Sequence, residues 1–435
     1  MELDELRREI DAVDAGMRAL FARRMEAVRA VAATKRELGL PVEDAAREAA
    51  MLAAAGESAS DELSPFYLRF LRANLEISKD WQRHLAAKAA GGAPGETSIP
   101  LALGAASYDI TVARGGLSRA AEYFDLDRRV LVVTDEGVPE GYARAVADVC
   151  ASPVLVTLPR GEGSKSPEAA EVLLRTMLGA GFTRGDAVCA VGGGVVCDVA
   201  GFAAATYMRG VDCYLVPTTV LAQVDASIGG KTAVNLDGVK NVVGVFRQPR
   251  GVLIDPDVLD TLPPRQVANG LAEAVKAALV GDADLFARFE AAAGGEASLP
   301  AIEEVIIPAI RVKRRIVEAD ERESGLRRVL NFGHTIGHGI ESASEMLHGE
   351  AVAVGMLAMC GPELRERLRP VLERLGLPTQ VQTDLNAVMA AIAHDKKTGA
   401  DGSIAVVRVD EPGHPRMENM TLDEVRALAE TVVRP

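Results

Sequence analysis

Aromatic residues make up only 4% of this 435-residue chain, with a single tryptophan. The five cysteines (150, 189, 197, 213 and 360) are scattered without paired metal-ligand spacing. Their odd number fits free thiols in a reducing cytoplasm. Positive charge is also short: the net charge of −14 argues against general nucleic-acid binding or attachment to an anionic membrane surface. Any anionic substrate must therefore be held by a local cluster of Lys and Arg. No stretch is long and apolar enough to cross a bilayer, and no repeat of solenoid length is present. The opening Met-Glu-Leu-Asp-Glu-Leu has no basic-then-apolar leader, so a cytoplasmic protein is expected. With 48% hydrophobic and 25% charged residues, the chain has ample material for the cores of two or three domains.

The chain has six histidines, and three of them are concentrated in Asn331-Phe-Gly-His334-Thr-Ile-Gly-His338 and the following His348-Gly-Glu350. Neutral imidazoles at close spacing suit a divalent metal. His334 and His338 share a face if the segment is helical, and Gly349 to Met356 also reads as a helix. Ordinary polar core histidines are the alternative.

The segment from Ala86 to Thr97 is small, Gly- and Pro-bearing and without apolar periodicity, which marks a linker. The sequence before it reads as three helices over 2–38, 43–55 and 62–85, with Pro41 between the first two and Ser64-Pro65 opening the third. Leu3, Leu6, Ile10, Val13, Met17 and Leu20 form the seam of a long packed helix. Arg24 falls where the seam expects an apolar residue, and Lys35 lies about 20° from it on the helical wheel. Inward charges are costly unless paired. An anion held by both explains the pair, as would two snorkelling side chains. Arg7 lies about 100° off that face and is better placed to serve a neighbouring chain.

This region resembles the all-helical chorismate mutase family. The matching pattern is Leu6-Arg7-Arg8-Glu9-Ile10-Asp11, Arg24, Lys35, Val42-Glu-Asp44-Ala-Ala-Arg47-Glu48, Ser78 and Gln82. The resemblance implies that Arg7 from a partner chain, Arg24, Lys35 and Arg47 bind the carboxylates and ether oxygen of chorismate. Asp44 and Glu48 would address the ring hydroxyl, and Ser78 and Gln82 would complete the pocket. A unimolecular rearrangement needs only compression and cations at the ether oxygen. The i, i+3, i+4 spacing of Asp44, Arg47 and Glu48 is equally that of surface ion pairs.

After the linker, Val- and Leu-rich runs alternate with helical patterns to about residue 260, and the pattern beyond is helical nearly to the end. Gly192-Gly193-Gly194 follows a short apolar strand and opens a helix, a turn that lets backbone approach a pyrophosphate. Asp135, Glu162, Lys165, Thr218 and Thr219 are further candidate nucleotide contacts by position. The spacing is not Gly-x-Gly-x-x-Gly, and Gly229-Gly230-Lys231-Thr232 lacks the upstream glycine of a P-loop. Arg209, Asp225, Lys231, Lys240, Asn241, Glu273, Lys276, Lys313 and Arg327 lie among glycines and apolar residues, in the manner of a pocket for a phosphate and a carboxylate.

Together these motifs resemble 3-dehydroquinate synthase over almost all of 98–435. The match includes Gly-Gly-Gly-Val-Val-x-Asp, Ala-Thr-Tyr-Met-Arg-Gly, Pro-Thr-Thr-x-Leu-Ala-Gln-Val-Asp, Gly-Gly-Lys-Thr, Leu-Asn-Phe-Gly-His-Thr and His-Gly-Glu. The resemblance implies metal ligands Glu273, His334 and His348, with zinc or another divalent ion such as cobalt, and moves His338 to the substrate. Asp225, Lys231, Asn241, Lys276, Asn331 and His338 would line the substrate, and Lys313 and Arg327 would take its carboxylate. Arg209 from a partner subunit and Lys396 or Lys397 would take the phosphate. Asp135, Glu162, Lys165, Gly193, Gly194, Asp198, Thr218, Thr219, Lys240 and Thr261 would meet NAD. Two departures stand out: Cys197 where glycine is usual, and Gly137 where a polar cofactor contact is usual.

The expected organisation is a three-helix all-α domain over 1–86, a linker over 87–98, an NAD-binding α/β domain over 99–262 and an all-α metal- and substrate-binding domain over 263–435. A homodimer acting on small molecules is expected. The competing readings are a cyclase of the same fold acting on sedoheptulose 7-phosphate, a simple metal-dependent alcohol dehydrogenase, and a helical domain serving only regulation or dimerisation.

Overall fold

The computed structural model describes residues 3–38, 45–58, 63–89, 96–295, 298–395 and 403–434. The chain divides into two compact units, Met1–Ser107 and Tyr108–Pro435. The first contains α1 (Leu3–Glu37), α2 (Ala45–Ser58), α3 (Ser64–Ala89) and the short strand β1 (Thr97–Leu101). Ser64-Pro65 opens α3, where the missing proline N–H leaves no helical bond unmade. The helix runs to Ala89, into the expected linker.

Both α1 and α2 pack on α3, which buries Asn74, Leu75, Ser78 and Gln82. The α1 seam departs from expectation: Leu6, Ile10, Val13, Met17 and Leu20 are 38–62% exposed. The reason is geometric. A helix flanked chiefly by one neighbour buries one face, and the described residues of this unit supply no second cover for that stripe.

The second unit begins as a parallel α/β fold. In chain order its elements are β2 (Tyr108–Val112), α4 (Ala120–Tyr123), β3 (Arg129–Asp135), α5 (Glu140–Ala147), β4 (Ser152–Leu158), α6 (Pro167–Gly179), β5 (Ala187–Gly192), α7 (Gly194–Thr206) and β6 (Asp212–Pro217). The antiparallel hairpin β7 (Lys231–Leu236) and β8 (Val239–Phe246) follows, then β9 (Gly251–Ile254). Within this unit the main sheet has the order β2-β9-β6-β5-β3-β4, every pair parallel. Val130–Val133 and Ala187–Val191 are wholly buried, the continuous apolar runs that a sheet covered on both faces requires. The chain leaves β3 for β4 and returns across β3 to β5. The carboxyl ends of β3 and β5 therefore flank a topological switch point.

The remainder is mostly helical: α8 (Pro264–Gly281), α9 (Ala283–Ala293), α10 (Ile302–Ala319), α11 (His334–Ala343), α12 (His348–Met359), α13 (Pro362–Arg374), α14 (Leu385–Asp395) and α15 (Leu422–Ala429). Two small sheets are added, β10 (Val381–Gln382) with β13 (Val433–Arg434), and the hairpin of β11 (Ser403–Val409) and β12 (Pro415–Thr421). The alternation in Ser403-Ile-Ala-Val-Val-Arg-Val is a strand signal that a helical reading to the end passes over.

α12 is buried on every side, the mark of a central helix. Two of its glycines set how closely its neighbours approach. A Cβ on Gly349 would fall 1.8 Å from the Asn269 carbonyl oxygen on α8. One on Gly355 would fall 2.0 Å from the Gly333 oxygen at the start of α11. α8, α11 and α12 thus meet at backbone distance, and each brings one chemical group to the junction.

Candidate active site

Those groups are Glu273 on α8, His334 on α11 and His348 on α12. Glu273 Oε1 lies 3.7 Å from His334 Nε2 and 3.5 Å from His348 Nε2. His338, one turn beyond His334, joins them: ligand atoms of the three imidazoles all lie within 4.8 Å of one another. The other ring nitrogens have acceptors. His334 Nδ1 is 3.1 Å from the Phe332 carbonyl, and His348 Nδ1 is 3.1 Å from Glu341 Oε2. An acceptor at Nδ1 puts the proton there and leaves the Nε2 lone pair for the centre.

Glu273 is buried, and neither carboxylate oxygen receives a well-formed hydrogen bond. Its company is charge: the Lys276 ammonium against Oε2 and the two imidazoles near Oε1. Burial would raise its pKa, but Lys276 and the imidazoles hold it down at about 2. Burial, reinforced by Lys276, pushes His334 well below the ordinary imidazole range. His348 is opposed by burial yet raised to about 9 by Glu273 and Glu341. A metal ion entering here would displace that proton. A buried carboxylate facing convergent imidazole nitrogens fits a divalent ion such as zinc or cobalt.

Beside this centre lies a second charged group. Lys313 on α10 pairs with Asp225 at 2.5 Å and also donates to the Asp225 carbonyl. Burial lowers Lys313 to about 8, while Lys313 and Lys276 together hold Asp225 far below its usual range against the effect of burial. Arg327 is 2% exposed; its Nη1 donates to Gly229 O at 3.0 Å and to Glu321 O at 2.5 Å. Its buried Nε has no partner. Gly229, at φ +93°, admits the guanidinium, which a Cβ there would strike at 2.4 Å. Lys231 pairs with Glu323, which accepts from Asn331 Nδ2 at 2.9 Å.

The remaining expected positions have varied surroundings. Arg209 is exposed after α7, at φ +68°. Lys240 pairs with Glu341 at 2.6 Å, and Glu341 also faces His348. Asn241 adopts φ +56°, its backbone N–H bonded to Asn235 Oδ1 at 2.8 Å. Lys396 and Lys397 lie outside the described residues.

At the switch point, Asp135 ends β3 and accepts from the Gly137 N–H at 2.7 Å. Gly193 caps α7 without any side-chain bond, so the first N–H groups of that helix remain available to an anion. The Thr218 N–H is tied to Gly192 O at 2.9 Å, and Thr219 Oγ1 accepts from Ala222. Lys165 pairs with Asp198 at 2.5 Å; burial raises Asp198 to about 6 against that pull. Glu162 Oε1 accepts from Asn235 Nδ2, and Thr261 Oγ1 lies 2.9 Å from the Tyr142 hydroxyl. Cys197 is buried, its thiol 3.8 Å from Gly192 O, so it fills the helix entry without blocking it. A switch-point crevice, an uncapped helix start and glycines in place of side chains fit a dinucleotide pyrophosphate.

In the helical unit, Arg24 Nη1 donates to Ser78 Oγ and to Asn74 O. Glu48 pairs with Lys79 at 3.3 Å, and Gln82 is buried with its Oε1 unsatisfied. Lys35 is half-buried, while Arg7 and Arg47 are exposed. Asp44 lies outside the described residues.

Sequence reading missed Glu323, Glu341 and Asn235. Glu323 sits in a run, Asp320-Glu-Arg-Glu323, that looks like solvated surface, and its φ of +58° has no signature in residue type. Glu341 lies three residues after His338, a helical spacing that could have singled it out.

Residues 155–269 match the family model described as 3-dehydroquinate synthase N-terminal, and 270–398 the one described as 3-dehydroquinate synthase C-terminal. Residues 6–83 match chorismate mutase type II. A 3-dehydroquinate synthase of Enterococcus faecalis is 40% identical over 343 residues, covering 74% of this chain and 95% of that protein. One from Latilactobacillus sakei is 40% identical over 345 residues, covering 76% and 97%. Among solved structures, a 2-deoxy-scyllo-inosose synthase complexed with carbaglucose-6-phosphate, NAD+ and Co2+ aligns with a TM-score of 0.70 at 25% identity, covering 77% of this chain and 100% of that one. A 2-epi-5-epi-valiolone synthase from Streptomyces hygroscopicus with NAD+ and Zn2+ bound aligns at 0.68 and 31% identity, covering 74% and 96%. This chain belongs to the 3-dehydroquinate synthase family and carries a chorismate mutase type II segment ahead of it.

Proposed function

We propose that the larger unit converts 3-deoxy-arabino-heptulosonate 7-phosphate to 3-dehydroquinate and inorganic phosphate, and that the helical unit converts chorismate to prephenate. The carrying observation is the meeting of Glu273, His334 and His348 beside three buried cations, Lys276, Lys313 and Arg327, and the half-buried Asp225. NAD and a divalent metal, when bound, would supply transient oxidation at the C5 hydroxyl and polarisation of its oxygen.

The chain's own groups then bind and orient. Arg327 and Lys313, rigidly held, suit the substrate carboxylate; the unpartnered Arg327 Nε is a donor that needs such an acceptor. Asp225, Lys231, Asn241, Lys276, Asn331 and His338 surround the hydroxyls. Phosphate would fall to Lys396 or Lys397 and to Arg209 of a second subunit. Elimination of phosphate removes a C–H proton, for which the departing phosphate is itself an acceptor, so no dedicated base is required. Asp135, Glu162, Lys165, Gly193, Gly194, Asp198, Thr218, Thr219 and Thr261 are the dinucleotide set. Lys240, tied to Glu341, supports the metal side of the site.

In the helical unit, Arg24, Lys35, Arg47 and the partner's Arg7 would hold chorismate, with Asp44, Glu48, Ser78 and Gln82 completing the pocket. The exposed α1 stripe supports a homodimer in which a second copy covers Leu6 to Leu20. Domain limits of 1–86, 99–262 and 263–435 and a cytoplasmic setting complete the reading. Among the described residues, no helix is long and apolar enough to cross a membrane.

Purified protein given the heptulosonate phosphate and NAD should release phosphate, and chelator should stop it. Net NADH accumulation would instead point to a dehydrogenase. Preferential turnover of sedoheptulose 7-phosphate would favour the ring-forming synthases that align structurally with this chain.

A further inference from the structure

The β7–β8 hairpin stands apart from the main sheet, and nearly every residue of β8 is exposed. β7 is seated, with Thr232 and Val234 buried, but little burial fixes β8, and the hairpin carries Lys231, Lys240 and Asn241. It reaches the helical part through two ion pairs, Lys231 with Glu323 and Lys240 with Glu341. The second is unusual because Glu341 is already engaged: its Oε2 faces His348 Nδ1 at 3.1 Å while its Oε1 holds the Lys240 ammonium at 2.6 Å. Glu341 is itself largely buried, with a side chain 15% exposed.

We propose that Glu341 is a positioning residue joining two parts of the site, fixing the metal ligand His348 and latching the hairpin over the centre. The inference rests on reading Glu273, His334 and His348 as metal ligands. With a carboxylate at Nδ1, the imidazole keeps its proton there and its ring plane fixed, so Nε2 stays aimed at Glu273. The same carboxylate offers its other oxygen to Lys240, so seating the hairpin and orienting the ligand draw on one side chain.

The test measures zinc affinity by chelator competition and amide hydrogen exchange of residues 231–246, both without turnover, on the full chain as Glu341→Ala, Glu341→Gln and Lys240→Met. Glu341→Ala should weaken zinc about 10–100-fold and speed hairpin exchange. Lys240→Met should speed exchange to the same degree while zinc affinity changes less than about threefold. Glu341→Gln, which keeps an acceptor for His348 but no charge for Lys240, should match Lys240→Met in exchange and fall between the others in zinc affinity. The proposal is overturned if Glu341→Ala binds zinc like the parent, or if hairpin exchange is indifferent to Lys240→Met. Failure of the parent protein to bind zinc would sink the ligand assignment itself, and hairpin exchange would still decide the latch.

Discussion

Replacing Lys276 with methionine separates the charge logic of the metal centre from its packing. The side chain is 3% exposed and pairs with Glu273, 1% exposed, on the same face of α8. Burial pushes Lys276 down, and Glu273 with Asp225 more than reverses this, holding its ammonium above the usual lysine range. Methionine has nearly the same length and no charge, so the core is not emptied. What remains is two carboxylates, Glu273 facing only the imidazoles and Asp225 paired with Lys313. Breaking a buried pair by removing one partner costs about 3–5 kcal/mol. At a urea slope of about 3 kcal/mol per M, the metal-free midpoint should fall by roughly 1–1.7 M. Zinc reverses the sign of the local imbalance. The variant should therefore bind it more tightly than the parent and gain more stability from it, by about 1.4 kcal/mol for each tenfold gain in affinity. Urea unfolding with and without zinc measures both quantities. A metal-free loss below about 1 kcal/mol, or an equal zinc increment in the two proteins, would refute the reasoning.

Other perturbations test other parts. Lys313, lowered to about 8 by burial against the pull of Asp225, loses its proton as pH rises through that value. kcat/KM for the heptulosonate phosphate should therefore fall above about pH 8, and Lys313→Arg should abolish that limb if it retains activity; an unchanged limb would dissociate Lys313 from binding. Gly193→Val should raise the NAD dissociation constant at least about tenfold with the fold intact, because a Cβ there already approaches Thr219 Cγ2 at 3.3 Å; calorimetric titration with NAD is the check. Arg24→Ala should lower prephenate formation by about 10²–10³ while phosphate release from the larger unit is unaffected. Gly355→Ala forces a methyl against Gly333 O and should destabilise by about 1–3 kcal/mol or more, read as an earlier urea transition.

Much of this was legible because it depends on residue type at short spacing. His334 and His338 share a helical face, His348 starts α12, and Gly192-Gly193-Gly194 joins a strand to a helix. Glu273 was not reachable that way. It lies 61 residues before His334, and only the close crossing of α8, α11 and α12 brings it there. Its assignment came through resemblance. Spacing alone had put His338 among the ligands, and geometry places it within the imidazole cluster. The α1 stripe has the pattern of a packed face, but periodicity reports an apolar face without saying which surface covers it. Glu323 and Glu341 escaped because an acidic residue on a polar segment has the same sequence signature whether it faces solvent or a lysine.

The pairing of these lysines addresses a difficulty set by composition. A chain with a net charge of −14 must recognise anions, and the sites proposed for that purpose are buried. A lone buried lysine shifts toward neutrality. Here the buried Lys165, Lys276 and Lys313 each rest against a carboxylate, as do the more exposed Lys231 and Lys240. Such pairs add little to stability compared with apolar packing, but they hold the side chains aimed, and at Lys276 and Lys313 they oppose the loss of charge on burial. The degree of support differs: Lys276 faces both Glu273 and Asp225 and is raised, whereas Lys313 shares Asp225 while facing Arg327 and falls to about 8. An incoming carboxylate beside Lys313 and Arg327 would supply the missing negative charge and restore the lysine's proton affinity. Substrate binding should therefore take up protons above pH 8. Isothermal titration in buffers of different ionisation enthalpy should detect that uptake; zero protons exchanged at pH 8.5 would mean that Lys313 does not meet the carboxylate.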